Sequence, residues 1–136
     1  MLNKIKTNIQ FKKDFAFETT LSGKTYLPIL YNAISNGYSL SLFFFYLKSK
    51  KIAIQRVKAR VSEGGHDVPV NDIERRYEAG LNNLMNLYIP LVHYWCIYDN
   101  SIDNNFKIVA EGDNLDFELT LNVSTCLLYT SDAADE

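Results

Sequence analysis

Residues 38–47, YSLSLFFFYL, are an almost unbroken apolar run rich in aromatics, preceded by Asn36-Gly37 and ended by Lys48. A run this short and this aromatic predicts a strand, and apolar residues at consecutive positions predict that it is buried on both faces. Strands of that kind belong to parallel sheets covered by helices. The segment before it, KTYLPILYNAISNGY (24–38), carries Leu27, Leu30, Tyr31 and Ile34 at helical spacing. Its Pro28 falls early, where a helix tolerates proline best, and Asn36-Gly37 supplies a C-cap. Before that, FAFETT (15–20) alternates aromatic and small residues and predicts a buried strand whose polar Glu-Thr-Thr end emerges into a crevice. Strand, helix, strand in this rhythm defines an α/β unit.

The next stretch, Arg56 to Leu84, predicts two helices joined by a tight turn. Residues 48–65 place Ala53, Val57 and Val61 on one stripe, with Arg56 and Arg60 four apart on a shared face. Gly64-Gly65 ends this helix without steric cost. Pro69 suits the start of the second helix, and Asn71 followed by Glu74 offers a cap. That helix carries Ile73, Tyr77, Leu81, Leu84 and Tyr88 as its apolar stripe, with Arg75 and Arg76 elsewhere on its surface. Gly80 weakens it by roughly 1 kcal/mol relative to alanine, and Pro90 kinks or ends it. Residues 93–101, HYWCIYDNS, predict a strand closed by a polar turn. Residues 105–122 predict a hairpin around Gly112-Asp113-Asn114. At the N-terminus, Leu2, Ile5, Ile9 and Phe11 predict a short amphipathic helix.

Composition bounds the function. A chain of 136 residues is one domain, and 47% hydrophobic residues with 13% aromatics is globular. The formal charge of −2 argues against a nucleic-acid binder. The longest apolar run is far short of the roughly 20 residues that span a bilayer. No signal-peptide pattern opens the chain, and Cys96 and Cys126 lack metal-like spacing, so a cytoplasmic protein is expected. The last eleven residues, CLLYTSDAADE (126–136), look like the in-frame translation of a transposase sequencing adapter; the alternative is a genuine acidic tail. Without Asp132, Asp135 and Glu136 the balance is 14 basic against 13 acidic residues, a formal charge of +1.

LSGKT (21–25) invites comparison with a phosphate-binding loop. That signature begins with a glycine that lets the backbone wrap the phosphates, and Glu18 stands in its place. Ser22 and Gly23 are expected only to turn the chain into the following helix. No Ser/His/Asp set and no metal cluster is visible, and His93 and Cys96 are expected in the core.

The run FAFETTLSGKTY, the lid pattern RVxxRVxxGGHxVPxxxIxRRY (56–77) and WCIYDNS together resemble the zeta-toxin-like P-loop kinases over most of residues 11–110. The resemblance implies an α/β fold, part of a kinase-like P-loop NTPase with a three-layer parallel sheet, a helical lid and a C-terminal β-hairpin, spanning residues 1–125. It implies ATP-dependent phosphoryl transfer to a small-molecule acceptor, a nucleotide sugar among the options, with ATP and Mg2+ as cofactors. Glu18, Thr19 and Thr20 match the motif that holds the acceptor. Arg60, His66, Arg75 and Arg76 fall in the lid over the triphosphate, and Asp99 and Asn100 fall near the nucleotide base. Arg75 and Arg76 could instead pair with Asp72 and Glu78, and His66 could cap a helix. The family's phosphate loop and its acidic base residue have no counterpart here and would lie upstream of Met1. In the family's sheet that missing strand is central, so its neighbours are expected to have unpaired edges. The isolated polypeptide is therefore expected to be poorly stable or to aggregate, and without the phosphate loop it is expected to lack activity. The competing expectation is an inactive binding module that associates with a partner such as an antitoxin.

Overall fold

A computed structural model describes residues 1–103, 105–114 and 122–123. Its elements run α1 (Leu2–Gln10), α2 (Leu27–Ser35), β1 (Ser41–Tyr46), α3 (Lys50–Ser62), α4 (Val70–Asn83), a π-helical turn (Leu84–Tyr88), β2 (Tyr94–Asp99), β3 (Lys107–Asp113) and β4 (Asn122–Val123). The class is α/β. The four strands lie in the order β1-β2-β3-β4. β1 pairs with β2 in parallel, whereas β2–β3 and β3–β4 are antiparallel, so one mixed sheet stands where a parallel sheet with a C-terminal hairpin was expected. A crossover carrying α3 and α4 separates β1 from β2, as parallel pairing requires. β3 follows β2 closely enough to fold straight back. The adapter-like residues 126–136 lie outside the described residues.

One face of the sheet is closed. Tyr46, Trp95, Ile97 and Ala110 are buried there, with Leu84, Tyr88 and Val92 packed over them. The other face is partly open, because Phe43 and Phe45 are 54% and 52% exposed. The expectation that 38–47 is buried on both faces therefore fails. In a strand, alternate side chains point to opposite faces, and the side that carries Phe43 and Phe45 is left half-exposed. Their rings find aromatic neighbours instead: Phe45 stacks on Tyr98 at 5.4 Å, and Phe43 meets Tyr94 edge-on at 6.0 Å.

A second, smaller cluster joins α1 to α2 through Ile5, Ile9 and Ala33. The buried stripe of α2 is Leu30 and Ala33, and Tyr31 is exposed, a rotation from the face expected. Ala33 is wholly buried in that cluster. The Ser49 hydroxyl caps α3 by accepting from the Ile52 N–H at 3.3 Å. Pro69 occupies the N-cap position of α4 with no side-chain cap, so Asn71 is helical and does not serve as one. The helix continues into the π-helical turn at Leu84 and is finished before Pro90.

Two further expectations are corrected. β3 runs through Gly112 and Asp113, so these are strand residues and not the hairpin turn. The Trp95 indole lies against Gly112, where an added Cβ would come within 2.5 Å of the ring. Most of the hairpin's second run, residues 115–121, lies outside the described residues. The segment 15–20 also forms no strand. Phe15 and Phe17 have stacked rings 6.4 Å apart, on one side of the chain as in an extended backbone, yet among the described residues no neighbouring strand supplies a hydrogen-bonded ladder. The space beside this segment is a cavity.

Candidate functional site

The segment 15–20 and β1 border one cavity. The Tyr38 hydroxyl sits 2.8 Å from the Lys13 carbonyl and 2.9 Å from that of Asn8, tying the starts of the two segments together. α4 touches both of their ends. The Tyr77 hydroxyl donates to the Leu47 carbonyl at 2.7 Å, and Gly80 lies so close to Thr20 that a Cβ there would be 2.8 Å from its carbonyl oxygen. Burial, followed by the neighbouring Tyr46, holds the Tyr77 phenol above its ordinary ionisation range, which keeps this donor protonated. The carboxyl ends of side-by-side segments, roofed by helices, are the usual place for an α/β ligand site.

The turn that follows Glu18-Thr-Thr is tightly held. Leu21 is buried with φ at 58°, a left-handed conformation rarely adopted by a side chain of that shape. Three groups hold it there. The buried Asn83 donates to the Leu21 carbonyl at 2.7 Å, Tyr88 donates to the Gly23 carbonyl at 2.8 Å, and the Thr19 hydroxyl accepts from the Leu21 N–H at 3.3 Å. Thr20 and Ser22 share a hydroxyl–hydroxyl hydrogen bond of 2.7 Å. Strain of this kind persists where the surroundings over-determine it, and such positions cluster at ligand sites.

The roof is the α3–α4 pair. Gly64 has φ at 95°, and the Gly65 N–H donates to the Arg60 carbonyl at 2.7 Å with no room for a Cβ. Both glycines are therefore required for so abrupt a turn. The Lys50 ammonium pairs with Glu78 across the two helices.

A cavity of about 1010 Å3 lies beneath this roof, and Glu18, Thr19, Thr20, Arg60 and Arg76 all border it. Those five of the expected site residues are brought together. Neither Arg60 nor Arg76 has a carboxylate within ion-pairing distance among the described residues, unlike Arg56, which pairs with Asp103 at 3.2 Å. Arg75 points elsewhere and pairs with Asp72 at 3.8 Å. His66 is exposed in the connector and does not border the cavity. Asp99 ends β2 and Asn100 follows it, both away from the cavity. Asp99 accepts from the Ser101 N–H at 2.9 Å and lies 3.8 Å from the Lys48 ammonium, while the Asn100 N–H donates to the Tyr46 carbonyl at 2.8 Å. These bonds close a turn. His93 likewise serves the backbone, its Nδ1 accepting from the Leu40 N–H at 3.0 Å.

Sequence reasoning missed Asn83, Tyr88 and Gly80 as the residues that shape the site. Tyr88 read as core, Gly80 as a weak point in a helix, and the tertiary contacts that give all three their roles link positions about 60 residues apart.

The residues fit an anion better than a metal. Two uncommitted guanidiniums are planar, multiply donating groups suited to phosphate oxygens. Among the described residues no group of three His, Cys, Asp or Glu could hold a metal ion. The 18–25 segment is a strained turn and not a glycine-rich cradle.

No family model matches the chain. No solved structure matches it. Over 63 residues it is 33% identical to an uncharacterized protein of Haemophilus influenzae, a match covering 46% of this chain and 45% of that protein. No helix among the described residues is long and apolar enough to cross a membrane.

Proposed function

We propose that this chain is the acceptor-binding and lid portion of an ATP-dependent small-molecule phosphotransferase of the zeta-toxin type. One observation carries the reading: Arg60 and Arg76, free of acidic partners among the described residues, border the same cavity as Glu18-Thr19-Thr20. A phosphoryl group in transfer spreads negative charge over its oxygens, and guanidiniums with unused donors stabilise that charge. The Glu18 carboxylate is an acceptor for a substrate hydroxyl, and the Thr19 and Thr20 hydroxyls flank it. Bound ATP with Mg2+ would supply the phosphoryl group. Among the described residues no phosphate loop or carboxylate cluster positions either, so we derive no step through them.

The test has two parts. Pyrophosphate titrated calorimetrically into the full chain should bind weakly, on the order of millimolar, and more weakly still in Arg60→Gln and Arg76→Gln. Binding unchanged in both variants overturns the reading. Coding sequence upstream of Met1 should contain Gly-x-x-x-x-Gly-Lys-Ser/Thr, and its absence there would defeat the phosphotransferase assignment. Micromolar affinity for ATP would contradict the lack of a phosphate loop within these residues. A second reading, a binding module that engages a protein partner such as an antitoxin, is favoured by the length of the cavity beyond its charged end.

A further inference from the structure

Asn83 and Tyr88 both reach the turn that follows Glu18-Thr19-Thr20, Asn83 at the Leu21 carbonyl and Tyr88 at the Gly23 carbonyl. The two are five residues apart in the chain. On an α-helix, residues five apart point about 140° away from each other and so face different neighbours. Between them runs the π-helical turn Leu84–Tyr88, in which the Ile89 N–H donates to the Leu84 carbonyl at 2.9 Å, five residues back. That bonding takes one more residue per closed ring than an α-helix does, and it brings residues five apart onto one side. Such turns are rare, and they are frequent at functional sites. This one continues α4, which carries Arg76 about two turns before Asn83 and packs Gly80, between the two, on the Thr20 carbonyl.

We propose that the π turn sets the two halves of the site against each other, with Asn83 and Tyr88 as positioning residues. Its extra residue aims both donors at residues 21–23, and together they hold Leu21 at a φ of 58°. One donor would pin a single point of that turn, whereas two fix its orientation against the axis of α4. Glu18, Thr19 and Thr20 lead into the turn, Arg76 rides on α4, and all four border the same cavity. The clamp therefore fixes how far the hydroxyl-bearing wall stands from the arginine. Taking one residue out of the π turn restores α-helical bonding and rotates Tyr88 by about 100° about the helix, away from Gly23. The strained turn then loses one of the contacts that over-determine it and relaxes. The inference rests on the reading of Glu18-Thr19-Thr20 as one wall of a ligand site.

Three variants of the full chain test it. Deletion of the exposed Asn86 removes the extra residue, Asn86→Ala keeps the register, and Tyr88→Phe keeps the ring without its donor. Hydrogen exchange at the Leu21 and Ser22 amides, which donate to the Thr19 and Thr20 hydroxyls, reads the turn. It should speed by about tenfold or more in the deletion and in Tyr88→Phe, and keep its parental rate in Asn86→Ala, with the amides of α1 unchanged throughout. Pyrophosphate affinity should fall by about threefold or more in the first and third variants and hold in Asn86→Ala. Parental exchange in the deletion variant, or equal acceleration in Asn86→Ala, overturns the proposal, because the register would then be irrelevant. Faster exchange with unchanged pyrophosphate affinity, in a chain whose binding does respond to Arg76→Gln, also overturns it by leaving a structural role alone. Should the deletion variant lose its helical circular dichroism, Tyr88→Phe decides on the same two readouts. Pyrophosphate binding that is equal in the parent, Arg60→Gln and Arg76→Gln defeats the ligand-site reading instead, while exchange needs no ligand and still judges the clamp.

Discussion

Replacing Gly80 by alanine sets two effects of known sign against each other. In an unhindered helix interior the change should stabilise by about 1 kcal/mol, because alanine restricts the unfolded chain. Here the new methyl would stand 2.8 Å from the Thr20 carbonyl oxygen, whereas ordinary contact begins at 3.4 Å. The Thr20 backbone would have to retreat by about 0.6 Å, or α4 would have to tilt. Retreat is resisted, because the adjoining Leu21 carbonyl is held by Asn83 and the following turn by Tyr88. Overpacking of this kind costs about 1–3 kcal/mol. The net expectation is a loss of about 1 kcal/mol, or a fall in Tm of about 3–5 °C for a chain of this size. Thermal unfolding of Gly80→Ala followed by circular dichroism measures it directly. Because the displaced residues adjoin Glu18, pyrophosphate affinity should fall in parallel. A variant that melts several degrees higher than the parent would refute the close packing of α4 on the 18–21 turn.

Asn83→Ala should cost about 1–3 kcal/mol in urea unfolding, since it leaves the Leu21 carbonyl buried without a donor; a loss below about 0.5 kcal/mol would mean that the turn holds itself. Arg76→Gln should weaken pyrophosphate binding on the order of tenfold and flatten its salt dependence, while Arg75→Gln, whose arginine is committed to Asp72, should change neither. Equal effects of the two changes would show that only bulk charge matters. Tyr77 has a folded-state ionisation above its unfolded value near 10, so its contribution is fully present below pH 10 and is lost as the pH rises further. Denaturation midpoints between pH 9 and pH 11 should therefore fall less steeply in Tyr77→Phe; parallel slopes would rule Tyr77 out as the cause.

Elements with a strong period were legible from the chain alone. Ile73, Leu81, Leu84 and Tyr88 lie on the buried stripe expected of them, and the Gly64-Gly65 turn falls where it was placed. What failed was information that no local pattern contains. FAFETT has the alternation of a strand, but a strand exists only with a partner, and here a cavity takes the partner's place. The apolar run of β1 says that its side chains prefer burial, not that a helix is present to provide it, and Phe43 and Phe45 remain half-exposed. Gly112-Asp113 has turn chemistry yet stays in β3, because Trp95 needs a residue without a side chain beneath it. At the site, residue type brought Arg60 and Arg76 forward together with Arg75, and only the fold separates the arginine paired on the surface from the two that face the cavity.

Trp95 is the sole tryptophan of the chain, and its indole is almost wholly buried with no hydrogen-bond partner for its Nε1 among the described residues. The molecule therefore carries its own optical reporter. An indole held dry against Gly112 should emit toward the blue, and it should redden when β3 parts from β2 even if the helices remain intact. One emission spectrum separates loss of the sheet from opening of the α3–α4 roof, which helical circular dichroism alone would blur together.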